Sequence, residues 1–263
     1  MSIRTDLAIE NTKNSLKKEK TGDVTTYFLE ENKEKYYTLD FKRIDKMLNF
    51  ENLENALFSS LDNLLPKSRE KILVVGLGNT EITSDSIGPK VCEQILATRH
   101  IMGNFAEKIG LRGLKSVSVI APNVLGKTGI EVSELIGGAV KTVMPDAVIV
   151  IDALCSKSTE RLFSCIQLCN NGISPGSGVK NARKEISRKS LGIPVVAIGV
   201  PTVVDAKTIA FELTGKEAED ENEMIVTPKD ADLLCQRISE FLSTALNVFL
   251  QPEIDREIIL SLV

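Results

Sequence analysis

Short apolar runs alternate with amphipathic stretches along the chain from residue 71 onward. The runs are rich in valine and isoleucine, and we predict them to be buried strands: Lys71–Gly76, Val117–Pro122, Ala147–Asp152 and Pro194–Val200. Strands that are apolar throughout and separated by amphipathic helices are typical of a parallel sheet covered by helices. The pattern predicts an α/β fold with a mostly parallel central sheet and helices on both faces.

Two further apolar runs, Leu162–Leu168 and Met224–Val226, are predicted to be edge strands of this sheet. The second run is followed by Thr227, which suits a helix cap, and Pro228, which suits the first helical position. We therefore expect a carboxy-terminal helix that starts beside Thr227 and ends near Leu250.

The chain before residue 66 follows a different pattern. Its first twenty residues are polar and are predicted to form a solvated arm. Val24–Leu29 and Lys35–Phe41 carry strand-forming residues around a polar link, which predicts a β-hairpin. Apolar positions at helical spacing predict a helix from Ile44 to Leu65, and Pro66 marks its end. This amino-terminal lobe is small and leads into the α/β part.

Charge and hydropathy exclude some classes of function. The 32 basic and 36 acidic residues are well mixed and leave a formal net charge of −4, so we expect no cationic surface for a nucleic-acid backbone. The apolar runs are far shorter than the roughly 20 residues that span a bilayer. The amino terminus lacks the apolar stretch of a signal peptide. We expect a cytoplasmic protein that binds neither membranes nor nucleic acids directly.

The histidine and cysteine counts narrow the chemistry. His100 is the single histidine, so a zinc site that needs two histidines cannot form, and a Ser or Cys nucleophile would have only this residue as its base. The five cysteines are odd in number and lie in apolar segments, which is typical of reduced core thiols. We expect no disulfide.

Two aspartates occupy positions where α/β proteins bind ligands. Asp152 closes the apolar run Ala147–Ile151, and Asp85 follows Lys71–Gly76 across a turn that contains glycine. Because ligands bind beyond the carboxyl ends of parallel strands, we expect both carboxylates at one rim of the sheet. The alternative is that each aspartate caps a following helix, near Ile87 in the case of Asp85.

Two glycine-containing segments are candidates for contacting a ligand. The turn Gly76-Leu77-Gly78-Asn79 differs from a dinucleotide fingerprint, since Glu81 stands at the third glycine position. Glycine permits close approach of the backbone, so Gly76, Gly78 and Asn79 are candidate oxyanion or substrate-binding residues. In the segment 172–178 the same argument applies to Gly176 and Gly178, with a plain surface loop as the alternative.

Seven segments carry a more specific signal, and they are Arg4–Ala8, Val75–Asn79, Thr98–His100, Thr128–Glu131, Ile151–Leu154, Pro175–Gly178 and Ile198–Ala206. Together they resemble the germination protease family of spore-forming bacteria, which degrades the small acid-soluble proteins that coat spore DNA. That family's fold is similar to that of the hydrogenase maturation proteases. Its two proposed catalytic aspartates match Asp85 and Asp152, the pair that the strand ends also select.

The resemblance implies an endopeptidase that needs no metal or cofactor and works as a homotetramer in the spore core, with small acid-soluble spore proteins as substrates. Two carboxyl groups that lie close together do not both ionise near neutral pH, so one can act as an acid and the other as a base. The sequence leaves open which of Asp85 and Asp152 takes each role.

The family is made as an inactive precursor that cuts itself, and its substrates are cleaved after an acidic residue and before a hydrophobic residue followed by alanine. Asp6-Leu7-Ala8 fits this rule, so we predict self-cleavage between Asp6 and Leu7. The chain then divides into a propeptide over residues 1–6, an amino-terminal lobe over 7–65 and an α/β protease domain over 66–263.

Two rival functions stay open at this point. One is a metal-dependent maturation protease, which would lose activity with a chelator. The other is a non-catalytic Rossmann-like module that holds a nucleotide or metabolite at the same rim of the sheet.

Overall fold

The computed structural model describes residues 5–12, 15–101, 108, 111, 113–174, 184–216 and 224–262. Gly176 and Gly178 lie outside these residues. The strands are β1 Lys17–Thr21, β2 Val24–Glu31, β3 Glu34–Asp40, β4 Lys71–Gly76, β5 Ser116–Ile120, β6 Ala147–Ser156, β7 Cys165–Cys169, β8 Val195–Asp205 and β9 Ile225–Val226. The helices are α1 Ala8–Asn11, α2 Glu51–Leu64, α3 Ile87–Glu93, α4 Leu125–Thr128, α5 Val132–Val143, α6 Arg188–Leu191, α7 Ala206–Thr214, α8 Ala231–Leu250 and α9 Arg256–Ser261.

The strands form one sheet in the order β1-β2-β3-β7-β8-β6-β4-β5, with β9 paired to β8. The neighbours β5, β4, β6 and β8 run parallel, whereas β7, β3, β2 and β1 continue the sheet in antiparallel pairs. The predicted α/β class and its parallel centre are confirmed.

Alternate residues of the central strands fill two hydrophobic cores, one on each face of the sheet. Ile72 and Val74 of β4 belong to the core that α2, α3 and α8 cover. Leu73 and Val75 belong to the core that α5 covers with Val132 and Ile136. Each fully buried aliphatic side chain stabilises the fold by about 1.5–3 kcal/mol relative to an exposed one, so both faces hold β4 in the sheet.

Strand β7 was predicted at an edge, and this position is wrong. It lies between β8 and β3, with Gln167 beside Gly199 of β8 on one side and Thr38 of β3 on the other. The predicted hairpin is confirmed as β2 and β3, but it adds to the main sheet. Because β3 is distant from β7 in the sequence, the residues of β7 do not reveal that β3 pairs with it. The division at residue 65 stays a prediction.

The amino-terminal residues are not the solvated arm that was predicted. Leu7 is fully buried, and the charged residues Lys17–Thr21 form the exposed edge strand β1. The ammonium groups of Lys17 and Lys18 lie over the rings of Phe28 and Tyr27. Charged side chains are common on edge strands because they oppose pairing with another chain.

Two predicted helix starts are also corrected. Only a short 3-10 turn forms at Ile44–Lys46, and α2 begins at Glu51, whose N–H donates to Asn49 Oδ1 (2.7 Å). The carboxy-terminal helix begins at Ala231, because the Thr227 hydroxyl donates to Thr202 O (2.8 Å) and caps nothing. A hydrogen bond within the turn sets the first start, and a contact with the distant residue Thr202 removes the predicted cap at the second.

Candidate active site

Asp85 and Asp152 lie near the carboxyl end of β4, at a level where the neighbouring strand β6 continues. The last paired residues of these strands are Gly76 and Ile151, and β6 then runs on through Asp152 to Ser156. Leu77 N–H donates to Ile151 O (2.8 Å) and so turns the chain away from the sheet at this point. Asp85 follows in a 3-10 turn, Thr83–Asp85, that leads into α3.

The helix-capping alternative fails for both aspartates. The cap position of α3 is Ser86, and it makes no side-chain capping hydrogen bond. Asp152 lies inside β6 and has no helix directly after it. The cap position of α3 therefore belongs to Ser86 and not to Asp85, and Asp152 directly precedes no helix in the described residues.

Glycines bring the two aspartates together. A side chain at Gly88, in the first turn of α3, would lie 2.3 Å from Leu77 O and 2.6 Å from Ile151 O. Helix α3 therefore packs directly on the ends of β4 and β6, which sets Asp85 beside Asp152. Both aspartates line one cavity of about 930 Å³.

Asp152 is buried, with 8% of its surface exposed, and its pKa lies well above the usual range of a carboxyl group. The largest cause is burial, followed by the negative charge of Asp85. An N–H donated by Ala153 to Asp152 Oδ1 (2.9 Å) partly offsets these effects, and Asp6 adds a smaller upward shift. The site favours a protonated Asp152.

The turn after β4 is built around Gly78. Its φ of +115° is rare for residues with side chains, and a Cβ there would lie 2.0 Å from Asp85 O and 3.0 Å from Asp85 Oδ1. Asn79 N–H donates to Asp85 O (2.9 Å) and closes the turn. Of the described candidates for substrate or oxyanion contact, Gly78 lines the cavity, whereas Gly76 and Asn79 do not.

The peptide bond predicted to be cut lies at the same cavity. Asp6 and Ala8 line it, and Asp6 pairs with the end of β6. Asp6 N–H donates to Cys155 O (2.9 Å), and Cys155 N–H donates to Asp6 Oδ2 (2.9 Å). Leu7 has no exposed surface and packs against Leu154 and Cys165. The Asp6–Leu7 bond and the two aspartates therefore share one site.

Gln167 is a site residue that the sequence analysis missed. Its Nε2 donates to Asp6 O (3.2 Å), and its Oε1 accepts from Ala8 N–H (2.6 Å). Gln167 is the one polar amide in the otherwise apolar run Cys165–Cys169. A single polar residue in a buried strand needs hydrogen-bond partners, and this feature of the sequence could have indicated a site residue.

Glu10 was also missed, and it anchors the residues that follow Leu7. Its side chain is 8% exposed and accepts from Ser156 Oγ (2.9 Å) and Lys157 N–H (2.7 Å). Arg161 Nε lies 3.1 Å from Glu10 Oε1. These contacts hold α1 against the end of β6, and the Thr5 hydroxyl also donates to Glu10.

The remaining sequence predictions concern metals, thiols and membranes. In the part of the chain that the structure describes, no three His, Cys, Asp or Glu side chains cluster closely enough to hold a metal ion. His100 is exposed in a 3-10 turn, and all five cysteines are buried without a disulfide. No helix among the described residues is long and apolar enough to cross a bilayer.

The model of the germination protease family matches residues 4–214 of this sequence. The chain belongs to the germination protease family. Similar proteins over nearly the full length are the germination proteases of Clostridium acetobutylicum, 33% identical over 317 residues with 97% of each chain covered, and of Clostridium tetani, 36% identical over 319 residues with 98% of each covered. That of Caldanaerobacter subterraneus subsp. tengcongensis is 42% identical over 76% of this chain and 74% of its own.

A solved structure also matches, the [NiFe] hydrogenase maturation protease HycI from Thermococcus kodakarensis. Its TM-score is 0.37 at 14% identity, over 71% of this chain and 98% of that one. Family membership, by contrast, rests on sequence and confirms the predicted resemblance. It identifies the chain as a peptidase of spore germination and implies protein substrates such as spore proteins.

Proposed function

We propose that the chain is an endopeptidase that degrades small acid-soluble spore proteins with Asp85 and Asp152 as a catalytic pair. The observation that carries this proposal is the pairing of Asp85 with a buried Asp152, whose pKa is raised, at the cavity that Asp6 and Ala8 also line. Two carboxyl groups in unlike environments can supply an acid and a base at the same pH.

The roles follow from the environments of the two carboxyl groups. In this proposal Asp152, whose raised pKa favours the neutral form, is the acid that donates to the oxygen of the scissile carbonyl, and the less buried Asp85 is the base that takes a proton from a water molecule. The water oxygen bonds to the carbonyl carbon, and a tetrahedral diol forms. The carbon–nitrogen bond then breaks as Asp85 returns its proton to the leaving amine and Asp152 recovers its own.

The same chemistry acts first on the chain itself, between Asp6 and Leu7. The amide of Cys155 holds the acidic side chain of Asp6, and Leu7 occupies an apolar pocket beside Leu154. These contacts match the rule of an acidic residue before the cut and a hydrophobic residue after it. Residues 1–6 are then a propeptide. An added spore protein binds in the place of Asp6–Ala8 after residues 1–6 have left and the new amino terminus, Leu7 and Ala8, has moved out of the site.

The proposed oligomeric state and cellular location rest on the family resemblance and not on the geometry of the site. The proposed enzyme is a homotetramer in the spore core, requires no cofactor and contacts spore proteins without binding DNA itself. Light scattering of the purified chain tests the tetramer directly.

The decisive experiment incubates the purified chain with one small acid-soluble spore protein and identifies the cut sites by mass. Asp152→Asn and Asp85→Asn are expected to lower the cleavage rate on the order of 10²–10⁴-fold, because each removes a proton-transfer group. Asp232→Asn, at an exposed position in α8, is the matched control and should cut at the wild-type rate. Cleavage by either variant at the wild-type rate would disprove the assignment.

The same assay separates the rivals. A metal-dependent protease would lose activity with a chelator, whereas the carboxylate pair is expected to keep its full rate. A nucleotide-binding module would cut nothing and would release heat on titration with nucleotides. If the wild-type chain cuts in the presence of the chelator and Asp152→Asn does not cut, the metal-dependent protease and the nucleotide-binding module are both excluded.

A further inference from the structure

The side chain of Gln167 spans the bond that we propose is cut. Asp6 O is the carbonyl oxygen of that bond, and it accepts from Gln167 Nε2 (3.2 Å). The N–H of Ala8, one residue beyond Leu7, donates to Gln167 Oε1 (2.6 Å). One amide group therefore holds the peptide on both sides of the Asp6–Leu7 bond.

The sheet places this amide beside the acid of the proposed pair. Gln167 of β7 and Asp152 of β6 both pair with Gly199 of β8, so their side chains leave the same face of the sheet at the same level. Gly199 adds no side chain between them, and Leu154 fills that space, since a Cβ on Gly199 would lie 2.3 Å from Leu154 Cδ1. Leu154 therefore forms an apolar surface between the carboxyl group and the amide, and Leu7 packs against it.

We propose that Gln167 is a catalytic residue that donates to the scissile carbonyl oxygen and fixes the register of the cut, in substrates as well as in the chain itself. This inference rests on the proposed function. A carbonyl oxygen has two lone pairs, so it can accept from Asp152 and Gln167 together. Negative charge grows on this oxygen as the water attacks, and a fixed donor stabilises that charge more than it stabilises the starting peptide.

An amide suits this task better than an acid or a hydroxyl. It donates through nitrogen and accepts through oxygen at the same time, and its charge does not depend on pH. Gln167 is 7% exposed inside a central strand, so its position is fixed before a substrate arrives. A preorganised donor of this kind contributes about 10²–10³-fold to the rate of acyl transfer.

A purely structural role for Gln167 makes a different prediction. If the amide only anchors the chain's own amino-terminal segment, its loss will slow self-cleavage without changing the cutting of an added protein. A donor to the scissile carbonyl is needed in both reactions. The turnover number kcat on an added substrate therefore distinguishes the two roles.

The test uses Gln167→Met, which keeps the length of the side chain and removes both polar atoms, and Gln167→Glu, which keeps an acceptor. Chains that do not cut themselves are trimmed with a trace of affinity-tagged wild-type enzyme, which is then removed. The cleavage of a small acid-soluble spore protein is measured per trimmed chain, as kcat and KM, from pH 4 to 8. Exposed Gln236→Met is the matched control.

We expect Gln167→Met to lower kcat about 10²-fold with a smaller change in KM and a nearly unchanged Tm. Gln167→Glu should regain rate relative to Gln167→Met as the pH falls, because a protonated carboxyl group can donate again. Wild-type kcat in Gln167→Met, while Asp152→Asn is inactive, overturns the role of Gln167 and leaves the aspartate pair standing. Full activity in Asp152→Asn overturns the proposed function itself.

Discussion

The two sides of the cavity are built in different ways. On one side, β4 ends at Gly76 while the parallel strand β6 continues beyond Ile151, and Asp85 and Asp152 line the cavity beside this point. On the other side, the antiparallel strand β7 presents Gln167 to a segment from the start of the chain. The comparison separates the groups proposed to move protons from the groups that hold the peptide. The first set depends on the end of β4 beside its parallel neighbour β6, and the second depends on contacts between distant parts of the sequence.

The largest effect on the parallel side is expected from Gly78→Ala. The new Cβ would collide with Asp85 O in a backbone conformation that favours glycine, so we expect a loss of roughly 2–4 kcal/mol in the free energy of unfolding. Asp85 would also shift, and cleavage should fall with it. Urea unfolding and the cleavage assay measure both changes.

Gly137→Ala is the control for that substitution. Gly137 lies inside α5, and a Cβ at this position would have no other atom within 4 Å, so the change is expected to stabilise the chain by about 0.5–1 kcal/mol. A stable and fully active Gly78→Ala variant would show that this turn does not position Asp85.

A smaller effect is expected on the opposite side from Glu10→Gln. The substitution removes the charge that Arg161 faces and weakens the contacts to Ser156 and Lys157, at a cost of about 1–3 kcal/mol. Self-cleavage should slow because the segment after Leu7 is held less firmly. The cleavage of an added spore protein, measured per trimmed chain, should keep its wild-type kcat.

Glu253→Gln, an exposed substitution of the same type, should change neither rate. An equal fall of both rates in Glu10→Gln would erase the distinction between the two sides of the cavity, because it would place Glu10 in the proton-transfer machinery.

The smallest effect concerns stability and pH. The pKa of Asp152 is raised in the folded chain, so the folded state binds a proton more tightly than the unfolded state does. Stability is therefore lost as the pH rises from about 4, the ordinary carboxyl pKa, through the raised pKa. Asp152→Asn removes this loss, and its Tm should exceed the wild-type Tm at neutral pH by about 2–4 °C for each kcal/mol recovered.

That gain should shrink toward pH 4, where the wild-type Asp152 is protonated in both states. Scanning calorimetry across this range measures it, with Asp232→Asn as the reference. A lower Tm of Asp152→Asn at neutral pH would mean that the charged form of Asp152 stabilises the fold, and the assignment of Asp152 as the acid would then be wrong.

The sequence alone determined the parts of the molecule that depend on local pattern. Apolar runs located β4, β6 and β8, because a strand covered on both faces needs apolar side chains throughout. The ends of two such runs indicated Asp85 and Asp152, since parallel strands present their carboxyl ends at one rim. The family resemblance implied the same pair and predicted a cut between Asp6 and Leu7, and both stay predictions.

Only the tertiary structure showed which distant residues contact the candidate site residues and the amino-terminal segment. Nothing near Gln167 in the sequence shows that Asp6 and Ala8 lie against its amide, and nothing near Lys17 shows that a charged arm pairs as an edge strand. The raised pKa of Asp152 likewise comes from burial and from the charge of Asp85, which lies in a different element. Hydrogen bonds and electrostatic shifts act through space, so they become visible only when distant segments are packed together.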